Sequence, residues 1–173
     1  MITSEASIVG WFTGRLPDDW VRAGAPEITV DREEITVVLH LPGPEIADDA
    51  PDEVRSETIA GRMAAFRDDT RDQRMAIARE AEHRFERKVA WGVHIDDRRA
   101  LFTHLAVPTM TRLRQPERMV LDTLIAGNVA KSRADALAWC VRLVGRHTEE
   151  WLSDLRRALD DVDQIRAQGP DAT

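Results

Sequence analysis

The chain has 173 residues, 43% of them apolar and 32% charged, which suffices for one ordinary domain or two small ones and excludes wholesale disorder. One cysteine, Cys140, excludes an internal disulfide framework and any multi-cysteine zinc or iron–sulfur site. With 24 basic and 31 acidic side chains the formal charge is −7, which excludes a uniformly basic nucleic-acid coat.

No stretch approaches the roughly 20 consecutive apolar residues of a membrane helix, so no membrane partner is expected. Residues 1–5 carry no basic run leading into a hydrophobic block, so no secretory signal is expected. A reducing cytoplasm is the expected setting.

Residues 7–13 are rich in β-branched and aromatic side chains, end at Gly14 and Pro17, and predict a strand. Residues 28–30 and 35–41 flank the polar stretch Asp31-Arg32-Glu33-Glu34 and predict a β-hairpin with a four-residue connection. Pro42, Gly43 and Pro44 close it, and an acidic loop follows. Residues 53–88 contain no proline and one glycine, Gly61. Ile59, Met63 and Phe66, then Ile77, Ala78, Ala81 and Phe85, form a helical stripe that polar residues 68–74 interrupt. The expectation is one long helix, or two joined near that interruption. Residues 89–95 and 100–105 bracket Asp96-Asp97-Arg98-Arg99 and predict a second hairpin. Residues 1–106 thus predict an α+β domain, in which two β-hairpins form an antiparallel sheet with a long helix on one face.

Past Pro108 the pattern turns helical. Pro116 suits a first helical turn, and Met119, Val120, Leu121, Leu124 and Ile125 line one face. Gly127 and Asn128 are C-terminal breakers, and Ser132 with Asp135 three residues on resembles a shortened capping box. Leu152, Leu155, Leu159 and Val162 have the three-four-three spacing of a short coiled-coil seam. Residues 107–168 therefore predict a helical module, and residues 169–173 a disordered tail.

Charge is uneven along the chain. Residues 104–147 hold Arg112, Arg114, Arg118, Lys131, Arg133, Arg142 and Arg146 against Glu117, Asp122 and Asp135, a local balance of +4 between acidic flanks. A phosphate backbone responds to potential within a Debye length of about 8–10 Å rather than to a chain total.

The order of residues here carries a resemblance. Met110-Thr111-Arg112-Leu113 precedes a helix, then a Gly-containing turn, then a helix opened by Ser132-Arg133. Leu121-Asp122-Thr123-Leu124-Ile125, followed by Ser132-Arg133-Ala134-Asp135-Ala136-Leu137, resembles the "LDxL … SRxEAL" pattern of ribbon-helix-helix DNA-binding proteins. The resemblance covers residues 108–147. It implies that two chains pair their strands into a ribbon that enters the DNA major groove, and that the N-terminus of the second helix holds a phosphate. On that reading Arg112 and Arg114 read bases, a bidentate Arg–guanine contact giving about 1–3 kcal/mol of discrimination. Lys131, Ser132, Arg133, Arg142 and Arg146 dock the backbone, the first three where a helix N-terminus favours an oxyanion. A homodimer through residues 109–114 and the C-terminal helices is expected. The alternative is a protein-interaction or scaffold module that binds no nucleic acid.

Catalysis is not expected. His94 and His104 sit on neighbouring predicted strands near Asp96, but a zinc or iron site needs three or four converging ligands, and neither a metal nor another cofactor is expected. Cys140 lies on an apolar helix face beside Trp139, as a packed thiol does. No P-loop or GxGxxG run is present. The mixed charges of residues 71–88 read as a solvated helix face, and the five tryptophans read as core.

Overall fold

Two apolar runs, around Val37 and Trp91, are hydrophobic along too much of their length to leave one face wet. In the computed structural model, which describes residues 4–47 and 49–169, they form the inner strands β2 (Glu34–His40) and β3 (Lys88–Ile95) of a four-stranded sheet. β2 and β3 run parallel, in register from Glu34 opposite Lys88 to His40 opposite His94. β1 (Glu27–Val30) adds to β2, and β4 (Arg98–Leu101) to β3, both antiparallel, in the order β1-β2-β3-β4. The sheet is therefore mixed, not the antiparallel sheet expected. Parallel neighbours need a crossover of a dozen or more residues, and two helices between β2 and β3 supply it.

Those helices are α2 (Asp52–Asp69) and α3 (Arg71–Phe85), so of the two expected arrangements the structure has two helices joined within the polar interruption rather than one long helix. Thr70 makes the break with φ −98° and ψ 3°. The buried guanidinium of Arg74 holds the corner, donating from Nε to Thr70 Oγ1 at 3.0 Å and from Nη2 to the Arg67 carbonyl at 2.5 Å. Its other side lies 4.8 Å over the Phe102 ring. Burial, then the charges of Arg67 and Arg71, lower its pKa.

The expected first strand is instead a helix, α1 (Glu5–Arg15). Ser4 caps it by accepting from the Ser7 N–H at 3.2 Å, Glu5 sits in the first turn, and Ile8 and Phe12 are fully buried one turn apart. Capping and an i,i+4 apolar pair outweigh the β propensity of the individual residues. Arg15 then donates twice to Glu80 of α3, at 2.7 Å each.

Both hairpin connections are shorter than expected. Three residues join β1 to β2, because Asp31 Oδ1 accepts from the N–H groups of Glu33 and Glu34 at 2.8 and 2.6 Å. Two residues join β3 to β4, Asp96 taking φ 53°, a conformation Asp tolerates.

One sheet face carries Ile35, Val37, Leu39, Val89, Trp91, Val93 and Ile95, which pack with Ile8, Phe12, Ile59, Met63 and Ile77 of the helices into the main core. Trp91 meets Phe12 and Trp20 edge-on. The opposite face presents Thr36, Val38 and His40 beside Ala90, Gly92 and His94, with Glu27 from β1 and Arg99 from β4 at the same end. Gly92 is required there, since a Cβ would stand 2.7 Å from Leu101 Cδ2 and 2.8 Å from the Ala100 carbonyl.

The chain divides into two units, Met1–Pro108 and Thr109–Thr173. The second holds α4 (Gln115–Ala126), α5 (Arg133–His147) and α6 (Glu149–Gln168). Its core is small: Leu121, Ala130 and Ala136, flanked by Leu113, Leu124, Ile125, Leu137 and Cys140. The tail expected at residues 169–173 lies, past Gly169, outside the described residues. No helix among the described residues is long and apolar enough to cross a membrane.

Candidate nucleic-acid interface

Residues 109–114 form no strand with any described part of the chain. Met110 is 97% exposed, and Arg112 and Arg114 are exposed, while Leu113 turns toward the small core. Arg114 is the N-cap position of α4, extended at ψ 175°, and its carbonyl accepts from the Arg118 N–H at 3.1 Å. Arg118 also donates from Nη1 to the Leu113 carbonyl at 2.7 Å, which fixes the chain where it enters the helix.

α4 ends at a turn made by Asn128 in the left-handed region, φ 56°. The N–H groups of Gly127, Asn128 and Val129 donate to the carbonyls of Thr123, Ile125 and Leu124 at 2.9 to 3.0 Å, satisfying the last turn of the helix. α5 then opens on a tight cap. Ser132 Oγ accepts from the Asp135 N–H at 3.2 Å, and Asp135 Oδ2 accepts from the Lys131 N–H at 2.9 Å.

Arg133 is engaged within the chain. Its Nε and Nη2 donate to the two carboxylate oxygens of Asp122 on α4, at 2.8 Å each. These hydrogen bonds lower the Asp122 pKa, with the charges of Arg133 and Arg118 adding to them against desolvation. The Lys131 ammonium and the Ser132 hydroxyl share this helix end with the occupied guanidinium.

Arg142 and Arg146 sit elsewhere on α5. At 1.5 Å and about 100° per residue they lie roughly 14 and 20 Å along the axis from Arg133 and about half a turn around it. Among the described residues Arg112, Arg114, Lys131, Arg142 and Arg146 form no ion pair. The basic residues of α5 and its N-terminal cap therefore divide between two sides of that helix.

A second cluster was not singled out from the sequence. Glu27, His40 and His94 bring one ligating atom each to within 4.8 Å of one another on the open face of the sheet. His94 is thus a neighbour of His40 and Glu27, rather than one of the His94–His104–Asp96 group considered from the sequence. Only strand register joins residues so distant in the chain, so spacing along the sequence carried no signal of it.

The chain belongs to the Rv1265-like protein family. The family's N-terminal domain matches residues 6–101, and the Mb1296 C-terminal domain matches residues 114–166. "Uncharacterized protein Mb1296" of Mycobacterium bovis and "Uncharacterized protein Rv1265" of Mycobacterium tuberculosis are each 59% identical to this chain over 161 residues, covering 93% of this chain and 69% of the relative. No solved structure matches.

Proposed function

We propose that the protein is a non-catalytic DNA-binding regulator that acts in the cytoplasm as a homodimer, with a ribbon-helix-helix-like second unit. The reading rests chiefly on residues 109–114, a largely exposed stretch without a strand partner among the described residues that runs directly into two helices joined by a tight turn. Residues 109–112 leave backbone donors and acceptors open to a second copy, and antiparallel pairing of two copies makes a ribbon of the width a major groove admits. Arg112 and Arg114 then face base edges. Lys131, Ser132 and the first N–H groups of α5 take a phosphate. Arg142 and Arg146, on the other side of α5, add longer-range attraction. The first unit senses a ligand or engages a partner.

Binding of the full chain to pooled genomic DNA tests this, at low and moderate salt, beside an Arg112→Ala/Arg114→Ala variant. Enrichment that weakens steeply with salt and is lost in the variant is the expected result. Absence of enrichment at low salt rejects the regulator.

One observation favours a second reading, an interaction module without nucleic acid. Trp151, Leu155, Leu159, Val162 and Ile165 of α6 are all more than 40% exposed, an apolar seam open to a partner helix. Persistent self-association with no DNA signal selects that reading.

A further inference from the structure

The open face of the sheet is apolar through its middle, where Val38 and Ala90 are buried, but one end of it is polar and chemically specific. His40 and His94 stand directly opposite each other on the two parallel inner strands, with ring centroids 5.2 Å apart. Glu27, paired with Val38, lies diagonally across from His40 on the neighbouring strand. Its Oε1 is 3.2 Å from His40 Nε2 and 3.9 Å from His94 Nδ1. Arg99 of β4 takes the other oxygen, its Nη1 lying 3.7 Å from Oε2, so one carboxylate oxygen is left for the two imidazoles.

We infer that Glu27 Oε1, His40 Nε2 and His94 Nδ1 form a binding site for a divalent first-row transition cation, with Zn2+ as the best-matched ion. Bonds of 2.0–2.2 Å in a tetrahedral site place neighbouring donor atoms about 3.3 Å apart. Glu27 and His40 already have that separation, and on binding His94 Nδ1 closes in from 3.9 Å of the same carboxylate oxygen. Two imidazoles and a carboxylate are ligands of the borderline softness such ions select, whereas Mg2+ and Ca2+ prefer oxygen-only sets.

The backbone beneath the site is rigid. The Leu41 N–H donates to the His94 carbonyl at 3.0 Å, carrying the β2–β3 ladder one residue past His40. Access is open as well, since the side chains of His40 and His94 are 30% and 31% exposed. Three protein ligands leave a coordination position facing solvent, as in ligand-accepting rather than closed structural sites. The site lies wholly in the first unit and does not depend on the nucleic-acid reading.

Titration of the full chain with Co2+, a spectroscopically visible stand-in for Zn2+, tests this directly. One Co2+ per chain is expected, with visible d–d absorption but no thiolate charge-transfer band, and complete displacement by Zn2+. His40→Gln, His94→Gln and Glu27→Gln each weaken Co2+ binding by more than about 100-fold, beyond the 10–100-fold typical of losing an outer-shell partner. His83→Gln and Cys140→Ser leave it unchanged. Should a strand histidine variant fail to fold, two measurements keep the test decisive. Glu27→Gln changes an exposed side chain on an edge strand, and paramagnetic broadening of the His40 and His94 ring signals is read on the unmodified protein. Absence of saturable binding tighter than about 1 mM overturns the site, as does binding that the three variants leave intact.

Discussion

Asp122 and Arg133 meet through two parallel hydrogen bonds of 2.8 Å, a fork that ties the middle of α4 to the first residue of α5. The contact occupies, at an exposed position, the guanidinium that the sequence pattern offers to a phosphate. It also links the two helices that enclose the small core.

Releasing that guanidinium has a readable consequence. Asp122→Asn removes one negative charge and frees Arg133 of its ion pair beside Lys131 and Ser132. If the second unit docks on DNA, the variant binds more tightly than the unmodified chain. Its log–log salt dependence steepens by about 0.9, the increment for one added phosphate contact. Fluorescence anisotropy across a salt series measures both, and an unchanged slope means Arg133 stays off the backbone even when freed.

Acid titrates the same contact. The folded-state pKa of Asp122 is depressed, chiefly by the Arg133 hydrogen bonds. A depressed carboxylate contributes its stabilisation in full above the unfolded value and loses it as pH falls through the folded one. Wild type therefore melts above Asp122→Asn at neutral pH, and the gap closes below the ordinary carboxylate range. Both groups are solvent-exposed, so the gap is small and shrinks in high salt. Differential scanning calorimetry at several pH values follows it, and a gap that widens on acidification contradicts the assignment.

Gly92 supplies a test of the sheet. A Cβ there meets Leu101 Cδ2 at 2.7 Å, the Ala100 carbonyl at 2.8 Å and Val38 Cγ2 at 3.3 Å. A leucine tip can rotate away, but a paired-strand carbonyl cannot. Gly92→Ala therefore costs about 1–3 kcal/mol, the range for overpacking, where alanine in an open strand position is harmless. Urea unfolding followed by tryptophan fluorescence reads the loss, and a neutral result means β4 shifts freely against β3.

The Thr70 corner depends on one side chain. Arg74→Ala removes the donors to Thr70 Oγ1 and the Arg67 carbonyl and the stack on Phe102. Hydrogen bonds involving a charged group are worth about 1.5–3 kcal/mol each, so the variant loses at least that much by urea unfolding. Arg74→Lys does not restore it, because an ammonium lacks the planar fork that reaches two acceptors while lying flat on a ring.

Much of this was legible from local pattern and some was not. The alternation of β1, the apolar run of β2 and the stripes of α2 through α5 announced themselves, because each is a short-range consequence of which faces are buried. Residues 7–13 misled, since β-branched and aromatic side chains weigh toward strand while Ser4, three residues upstream, caps a helix. The parallel pairing of β2 and β3 was accessible in principle from their nearly unbroken hydrophobicity, the mark of strands covered on both faces. The His40–His94 neighbourhood was not, because it follows from that pairing alone. Arg133 was visible as a cation, but its partner eleven residues earlier emerges only when α4 and α5 fold back on each other.

The seam of α6 provides the sharpest test of self-association. Leu155, Leu159 and Val162 are 42%, 55% and 41% exposed, at coiled-coil spacing on a 20-residue helix with no buried side chain among the described residues. A second copy covers such a seam with like residues, and burying one leucine side chain contributes roughly 1.5–3 kcal/mol. Leu155→Glu removes two such side chains from a symmetric pair and places carboxylates in the seam. The dimer dissociation constant then rises by at least about 100-fold. Asp154→Ala, on an exposed position ion-paired with Arg157, leaves it unchanged. Sedimentation equilibrium over a concentration series measures both variants against the unmodified chain. If the unmodified chain sediments as a monomer throughout, α6 pairs with no second copy, and the dimeric ribbon loses its support at the same time.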